Sequence, residues 1–363
     1  MNIRKIMGRW APHGMMVERA RSRFYDDYRA WVRSGQQVSW DTESRFDNIV
    51  SVDGFGYTGS GAVVDLLREY ACNSVLGYVS PIGSRTRADE SVGEVNFLRH
   101  TGGLLHLEQA FDPHNISSIY WNDALLKHTM RLFSDSALYS RFASLRPFFY
   151  QFLYDVLDLS IDDMRENVFT PILSLFDKRH HLFMLRDLGL DEYRALCRQL
   201  LQTLFNHFHN KAQTHLILDQ VVSDCRFREE MFAAYLPGFR HIVVYRDPRD
   251  VFAIAHRLNV SWIPHDVDEF IRWTKQCYRG FDSESKTYLP ICFEDLVQDY
   301  DATVSRIESF LGLRAEQHIF KHQNFDPSIS VRGIGQWTQM PQLRSECDKI
   351  KHAGLGGWQG RYE

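Results

Sequence analysis

His241-Ile242-Val243-Val244-Tyr245-Arg246-Asp247-Pro248-Arg249-Asp250 runs from an apolar stretch into five residues of which four are charged. The first half is rich in β-branched and aromatic side chains and is bounded by a proline turn, which predicts a short buried strand. Asp250 with Val251, Phe252, Ile254 and Ala255 then marks the start of a helix. An arginine at the carboxyl end of such a strand projects into the crevice where parallel α/β sheets bind their ligands. Guanidinium grips phosphate in a bidentate fork, so Arg246 and Arg249 are candidate anion ligands. A solvated loop with local Arg–Asp ion pairs is the competing reading.

A second strand–loop–helix unit lies upstream. Asn48-Ile49-Val50-Ser51-Val52 is a β-rich run ending at Asp53-Gly54, and helical spacing begins from Ala62 through Val63, Val64, Leu66, Leu67 and Tyr70. Between them, Gly54-Phe55-Gly56-Tyr57-Thr58-Gly59-Ser60-Gly61 has the glycine density that lets successive N–H groups turn toward one anion. The helix beginning near Ala62 adds free amides and the positive end of its dipole, and Thr58 and Ser60 add hydroxyl donors. The loop is not a Walker A sequence, because no Lys-Ser or Lys-Thr follows its last glycine, and it lacks the dinucleotide fingerprint. On its own it reads equally as a phosphate cradle or a tight structural turn.

Further strand-like runs stand at His215-Leu216-Ile217-Leu218-Asp219 and Tyr288-Leu289-Pro290-Ile291-Cys292-Phe293, with a short one at Val75–Val79. A helical pattern from Ala302 to Leu311 closes on Gly312 as a C-cap would. The pattern predicts an α/β fold, a P-loop-like parallel sheet flanked by helices, with a large and mainly helical insertion over about 95–210. The domain expectation is an N-terminal helical arm over 1–45 and one α/β domain over 46–363. The arm carries Arg4, Lys5, Arg9, Arg19, Arg21, Arg23, Arg29 and Arg33 among Trp10, Phe24, Tyr25 and Trp31. It reads as a helix packed on the domain, or as a basic segment making peripheral contact with an anionic membrane.

At 363 residues, with 44% hydrophobic and 24% charged residues, the composition is that of an ordinary globular chain. A formal net charge of −4 argues against a general nucleic-acid binder. The six cysteines have no CxxC spacing and fall largely in apolar runs, which fits a reducing compartment. No signal-like or membrane-spanning apolar stretch is present, so a cytoplasmic location is expected.

Taken together, these segments resemble the PAPS-dependent sulfotransferases of the P-loop type, which transfer sulfuryl from 3′-phosphoadenosine 5′-phosphosulfate (PAPS). The resemblance is carried by Asp53–Ala62, Tyr245–Asp250, Phe293-Glu294-Asp295-Leu296-Val297 leading to Phe310-Leu311-Gly312, and Ser330-Val331-Arg332-Gly333-Ile334-Gly335-Gln336-Trp337. Four segments in the family's order, from about 48 to 337, make a specific signal. It implies that Gly56, Tyr57, Thr58, Gly59, Ser60, Gly61 and Ala62 cradle the 5′-phosphosulfate. It implies that Arg246, Arg332 and Gly333 hold the 3′-phosphate, with Arg249 in support. PAPS is then the co-substrate and 3′-phosphoadenosine 5′-phosphate (PAP) the product, with no metal expected. The acceptor is a hydroxyl or amine of a small molecule or glycan, first of all a carbohydrate or glycolipid.

Two positions depart from the family. Its usual loop cation is replaced by Gly59, and its common 3′-phosphate serine by Ile254. Arg85, Arg87, Lys127 and Arg186 are candidate sources of the missing charge. For the base that takes the acceptor's proton, Asp219 is the first candidate, a carboxylate at the tip of a buried strand, with Asp224 nearby. A second route offers Glu90, Glu94, His100 and His106. Phe97, Trp121, Tyr139, Phe148, Phe149 and Tyr150 of the insertion either line an acceptor pocket or form core. A catalytically silent nucleotide- or glycan-binding module stays open, as does a P-loop kinase or NTPase; against the latter stands the absence of a Walker lysine.

Overall fold

The computed structural model describes residues 23–24, 26–76, 104–108, 111, 133, 137–157, 186, 188–219, 234–236, 238–279 and 286–355. The chain forms two compact units, Met1–Glu43 with Val92–His207, and Ser44–Ser91 with Phe208–Glu363. Among the described residues no helix is long and apolar enough to cross a membrane.

The second unit is an α/β fold. Five strands, β1 Asn48–Asp53, β2 Asn73–Leu76, β3 His215–Asp219, β4 Phe239–Tyr245 and β5 Tyr288–Cys292, pair in parallel in the order β2-β3-β1-β4-β5. Six helices of this unit matter here: α1 Ser60–Leu67, α2 Pro248–Leu258, α3 Val267–Cys277, α4 Phe293–Gln298, α5 Tyr300–Leu311 and α6 Arg344–His352. Because a strand alternates its side chains, Val50, Val52, Ile217, Ile242, Val244, Leu289 and Ile291 face one way, onto Val63, Leu67, Leu296, Val304 and Ile307 of α1, α4 and α5. The opposite face carries Val243, Tyr245 and Tyr288, which meet Trp273 and Cys277 of α3. Each of these fully buried aliphatic side chains stabilises the fold by roughly 1.5–3 kcal/mol. A polar group is buried on that second face: Asp53 accepts from the Ser51 hydroxyl and lies 3.0 Å from His241 Nε2, linking β1 to β4.

The topology places the functional edge. From β1 the chain leaves through α1 toward β2, on one side of the sheet order, whereas from β4 it leaves through α2 and α3 toward β5 on the other. The carboxyl ends of β1 and β4 are therefore the switch point, where an open parallel sheet leaves a crevice. The glycine loop follows β1 and Arg246 follows β4.

Just past α1, Glu69 is fully buried and anchors the segment after α5. Its Oε1 accepts the amides of Asn324 and Phe325, both at 2.9 Å, and its Oε2 lies 2.7 Å from His318 Nε2. Tyr70 stacks on His318 and donates to Glu308 at 2.8 Å. Glu69→Ala would leave these donors without acceptors in a dry environment, so it is expected to cost about 3 kcal/mol. A urea unfolding series measures this, and a shift below about 1 kcal/mol would contradict the anchoring role.

The described elements of the first unit are mainly helices, of which Arg146–Val156 and Leu190–Asn206 are the longest, with a short one at Ala137–Arg141. Residues 26–33 are also helical, and Phe24, Tyr28 and Trp31 are buried against Tyr139 and Tyr150. Phe149, Tyr139 and Tyr150, candidates for an acceptor pocket in the sequence, are core side chains, with the two tyrosine hydroxyls 2.8 Å apart. Phe148 lies 5.9 Å from Trp40, ring to ring. Phe97 and Trp121 fall outside the described residues.

Candidate functional site

The glycine loop is a curled cradle. Gly56, Tyr57 and Gly59 have φ values of 76°, 55° and 94°, and Gly59 is the N-cap of α1. A Cβ on Gly54 would lie 2.1 Å from Thr58 Oγ1 and 3.3 Å from Ser60 Oγ, so both buried hydroxyl groups turn back over the base of the loop. Ala62 donates its amide to Gly59 O at 2.9 Å, which closes the first turn of α1 and uses that N–H. Tyr57 is 42% exposed and nearly parallel to the exposed Trp262, centroids 6.2 Å apart.

Arg246 reaches this loop from β4. It is only 8% exposed; Nη1 donates to Tyr57 O at 3.0 Å and Nη2 to Gly333 O. Its guanidinium lies over the Phe293 ring, 4.8 Å from the centroid. Its Nε is buried with no hydrogen-bond partner among the described residues. Burial lowers the arginine's pKa, opposed by Asp250, Glu294 and Asp247, while the neighbouring Arg257 pushes it the same way as burial. One cation thus bridges the first loop and the C-terminal segment, with a donor left over.

The residues after Arg246 build a clamp. Asp247 caps α2 by accepting from the Arg249 amide at 2.9 Å, and its carboxylate takes the Arg249 guanidinium at 2.7 and 3.0 Å. Pro248 sits at N1, where a missing N–H costs nothing. Arg249 in turn lies over the Trp337 ring, 4.4 Å from its centroid. Asp250 is fully buried and accepts the amides of Gly335 at 2.8 Å and Trp337 at 3.0 Å. Burial raises its pKa, countered by the Trp337 amide and Arg246. Arg257 donates to the Gln336 side chain. The segment 331–339 is therefore held against α2 at four points, three at its start and one at Arg257 in its last turn, and Arg332 extends from it exposed.

Glu294 closes the other side. It is 1% exposed and accepts the Asp247 amide at 3.0 Å and the Cys292 thiol at 3.2 Å; burial raises its pKa. Ile254, where the resemblance led one to look for a serine, is buried on α2.

The structure brings Gly56–Ala62, Arg246, Arg249 and Gly333 into one neighbourhood. Asp219 ends β3 opposite Val52, so it stands at the same edge of the sheet as the start of the loop. His106 belongs to the short helix Leu104–Leu107 of the other unit, and Glu94 lies outside the described residues. Arg85, Arg87, Glu90, His100, Lys127 and Asp224 lie outside them as well. Arg186, a candidate replacement cation, is in the other unit, donating to Leu157 O and lying over the Tyr154 ring. Phe293, Glu294 and Asp250 had no assigned place in the site from sequence reasoning. For the two acids, the only signal was a carboxylate in the first turn of a helix that follows a buried strand.

Among the described residues no group of three or more His, Cys, Asp or Glu is placed to hold a metal ion. The chain matches no protein-family model and no curated protein sequence. Among solved structures it is similar to the sulfotransferase domain of the Synechococcus PCC 7002 olefin synthase, at 13% identity and a TM-score of 0.34 over 87% of this chain and 92% of that one. It is similar to sulfotransferase STF1 of Mycobacterium tuberculosis H37Rv, at 13% identity and a TM-score of 0.36 over 87% and 81%. STF9 of Mycobacterium avium gives 13% identity and 0.31 over 85% and 77%. Likeness at this level carries no weight for the site, whose reading rests on its own residues.

Proposed function

We propose that the chain is a sulfotransferase that moves the sulfuryl group of PAPS to an acceptor hydroxyl, with a carbohydrate as the first acceptor class. The observation that carries the reading is Arg246 at the switch point, buried, bridging the glycine loop and the Gly333 segment, with Nε unpaired. A ligand with two separated anions fits such a bridge.

In this reading the cradle of Gly56–Gly61 with Thr58 and Ser60 receives the 5′-phosphosulfate, and the start of α1 adds its dipole. Arg246, Arg332 and the Gly333 backbone receive the 3′-phosphate. Arg249 acts indirectly, by holding Trp337 in place. As sulfur passes from the phosphate oxygen to the acceptor oxygen, Asp219 takes the acceptor's proton and PAP leaves. Donors fixed before the reaction stabilise charge on the departing phosphate without reorganisation.

A second reading has one specific observation behind it. A Cβ on Gly59 would lie 2.4 Å from Phe293 Cδ2, so the place of the family's loop cation is filled by an aromatic ring. That contact is what a catalytically silent nucleotide- or glycan-binding module would build on. Calorimetry with PAP, ADP and ATP tests the donor site. PAP is expected to bind without Mg²⁺ and at least about tenfold, or about 1.4 kcal/mol, more tightly than ADP. A Mg²⁺-dependent preference for ATP would overturn the reading. Turnover of labelled PAPS over an acceptor panel then separates enzyme from silent module.

A further inference from the structure

Phe293 touches three parts of the candidate site, the first loop, the Gly333 segment and Arg246. It is the first residue of α4, directly after β5, and is 6% exposed. One edge of its ring packs on Gly59, where an added Cβ would lie 2.4 Å from Cδ2 and 2.9 Å from Cγ. Another edge packs on Gly333, where an added Cβ would lie 3.5 Å from Cε1 and Cζ. The Arg246 guanidinium lies over it at 4.8 Å. Among the described residues no carboxylate comes within hydrogen-bond distance of that guanidinium: Asp250 Oδ2 is 3.8 Å from Nη2, and the shorter contacts are to the carbonyls of Tyr57 and Gly333. Asp250, Glu294 and Asp247 support the charge from further off, while the close contacts are neutral carbonyls and a ring face, which leaves Nε for an anion.

We infer that Phe293 is a positioning residue for Arg246. It excludes any side chain from position 59, and it fixes the plane of the guanidinium so that the buried Nε stays directed to an incoming phosphate. The charge for the 3′-phosphate then stands on the residue that follows β4, held by a ring at the start of α4. This inference rests on the donor reading above and adds to it a specificity role for a residue that need not touch the ligand.

The test is Phe293→Leu, which keeps a branched apolar side chain against Gly59 but removes the ring face. Binding of PAP and of adenosine 5′-monophosphate (AMP) would be measured for wild type, Phe293→Leu, Arg246→Lys and the double variant, with the unfolding midpoint followed for each. PAP affinity is expected to fall about 5- to 30-fold in Phe293→Leu, the range of a desolvated cation–π contact. AMP, which lacks the 3′-phosphate, should change by no more than about twofold, and the two substitutions should be non-additive for PAP. A merely structural ring would lower both ligands together, or would combine additively with Arg246→Lys; either result overturns the inference. Unchanged PAP affinity in Phe293→Leu overturns it too. If wild type binds AMP and PAP equally, it is the donor reading itself that fails.

Discussion

Arg246→Ala is expected to lower PAP affinity about 100-fold while AMP falls about tenfold or less. A charge-assisted contact to phosphate in a shielded site is worth up to about 3 kcal/mol, which is about 100-fold in affinity. The AMP loss is smaller because only the indirect support of Tyr57 O is removed from the first loop. Equal losses for both ligands would mean that Arg246 serves the loop alone, and the 3′-phosphate assignment would fall. The buried Asp250 keeps its two amide donors from Gly335 and Trp337 in this variant, so the clamp on the C-terminal segment is retained. Arg246→Lys offers a milder comparison: it keeps the charge but loses the planar fork, and should recover only part of the affinity.

Gly59→Ala is expected to destabilise the sheet-bearing unit by about 3 kcal/mol. Two causes add. The backbone at φ 94°, ψ 18° is a left-handed conformation that costs a residue with a Cβ roughly 1–2 kcal/mol. The new methyl would also meet the Phe293 ring at 2.4 Å, and the ring is walled by Gly333 and Arg246, so relief requires a backbone shift costing about 1–3 kcal/mol. Urea unfolding of Gly59→Ala, Phe293→Ala and the double variant separates the two. The double variant should be about 1–2 kcal/mol more stable than the sum of the singles predicts, because removing the ring relieves the clash and leaves the dihedral cost. Strict additivity would show that ring and loop are not in contact. Gly59→Lys, which places a cation at this point of the loop, should be no more stable than Gly59→Ala for the same reasons.

Much of the framework could be read from local chemistry. The β-branched runs at 48–52, 215–219 and 241–245 became β1, β3 and β4, because short apolar stretches bounded by turn residues bury on both faces of a parallel sheet. The helix expected up to Leu311 runs Tyr300–Leu311 and closes on Gly312 at φ 73°. The helix start after Arg246 is fixed by Asp247 as cap and Pro248 at N1, both visible as residue types. The turn of the loop was legible too, since glycine takes a positive φ without strain, as Gly56 and Gly59 do; that Tyr57 between them does so as well was not legible.

What lay outside the reach of local patterns was pairing at a distance. The strands, the curled loop, the capped start of α2 and the arginine before it follow from local residues, because each depends on neighbours within a few positions. The assembled sheet alone puts β1 between β3 and β4, which turns two separate motifs into one switch-point crevice. Only it decided that Asp250 serves Gly335 and Trp337, and that Phe293 takes the room Gly59 leaves. Those contacts span 85 residues and more, and they follow from which surfaces exclude water together, a property of the assembled sheet that no window of sequence carries.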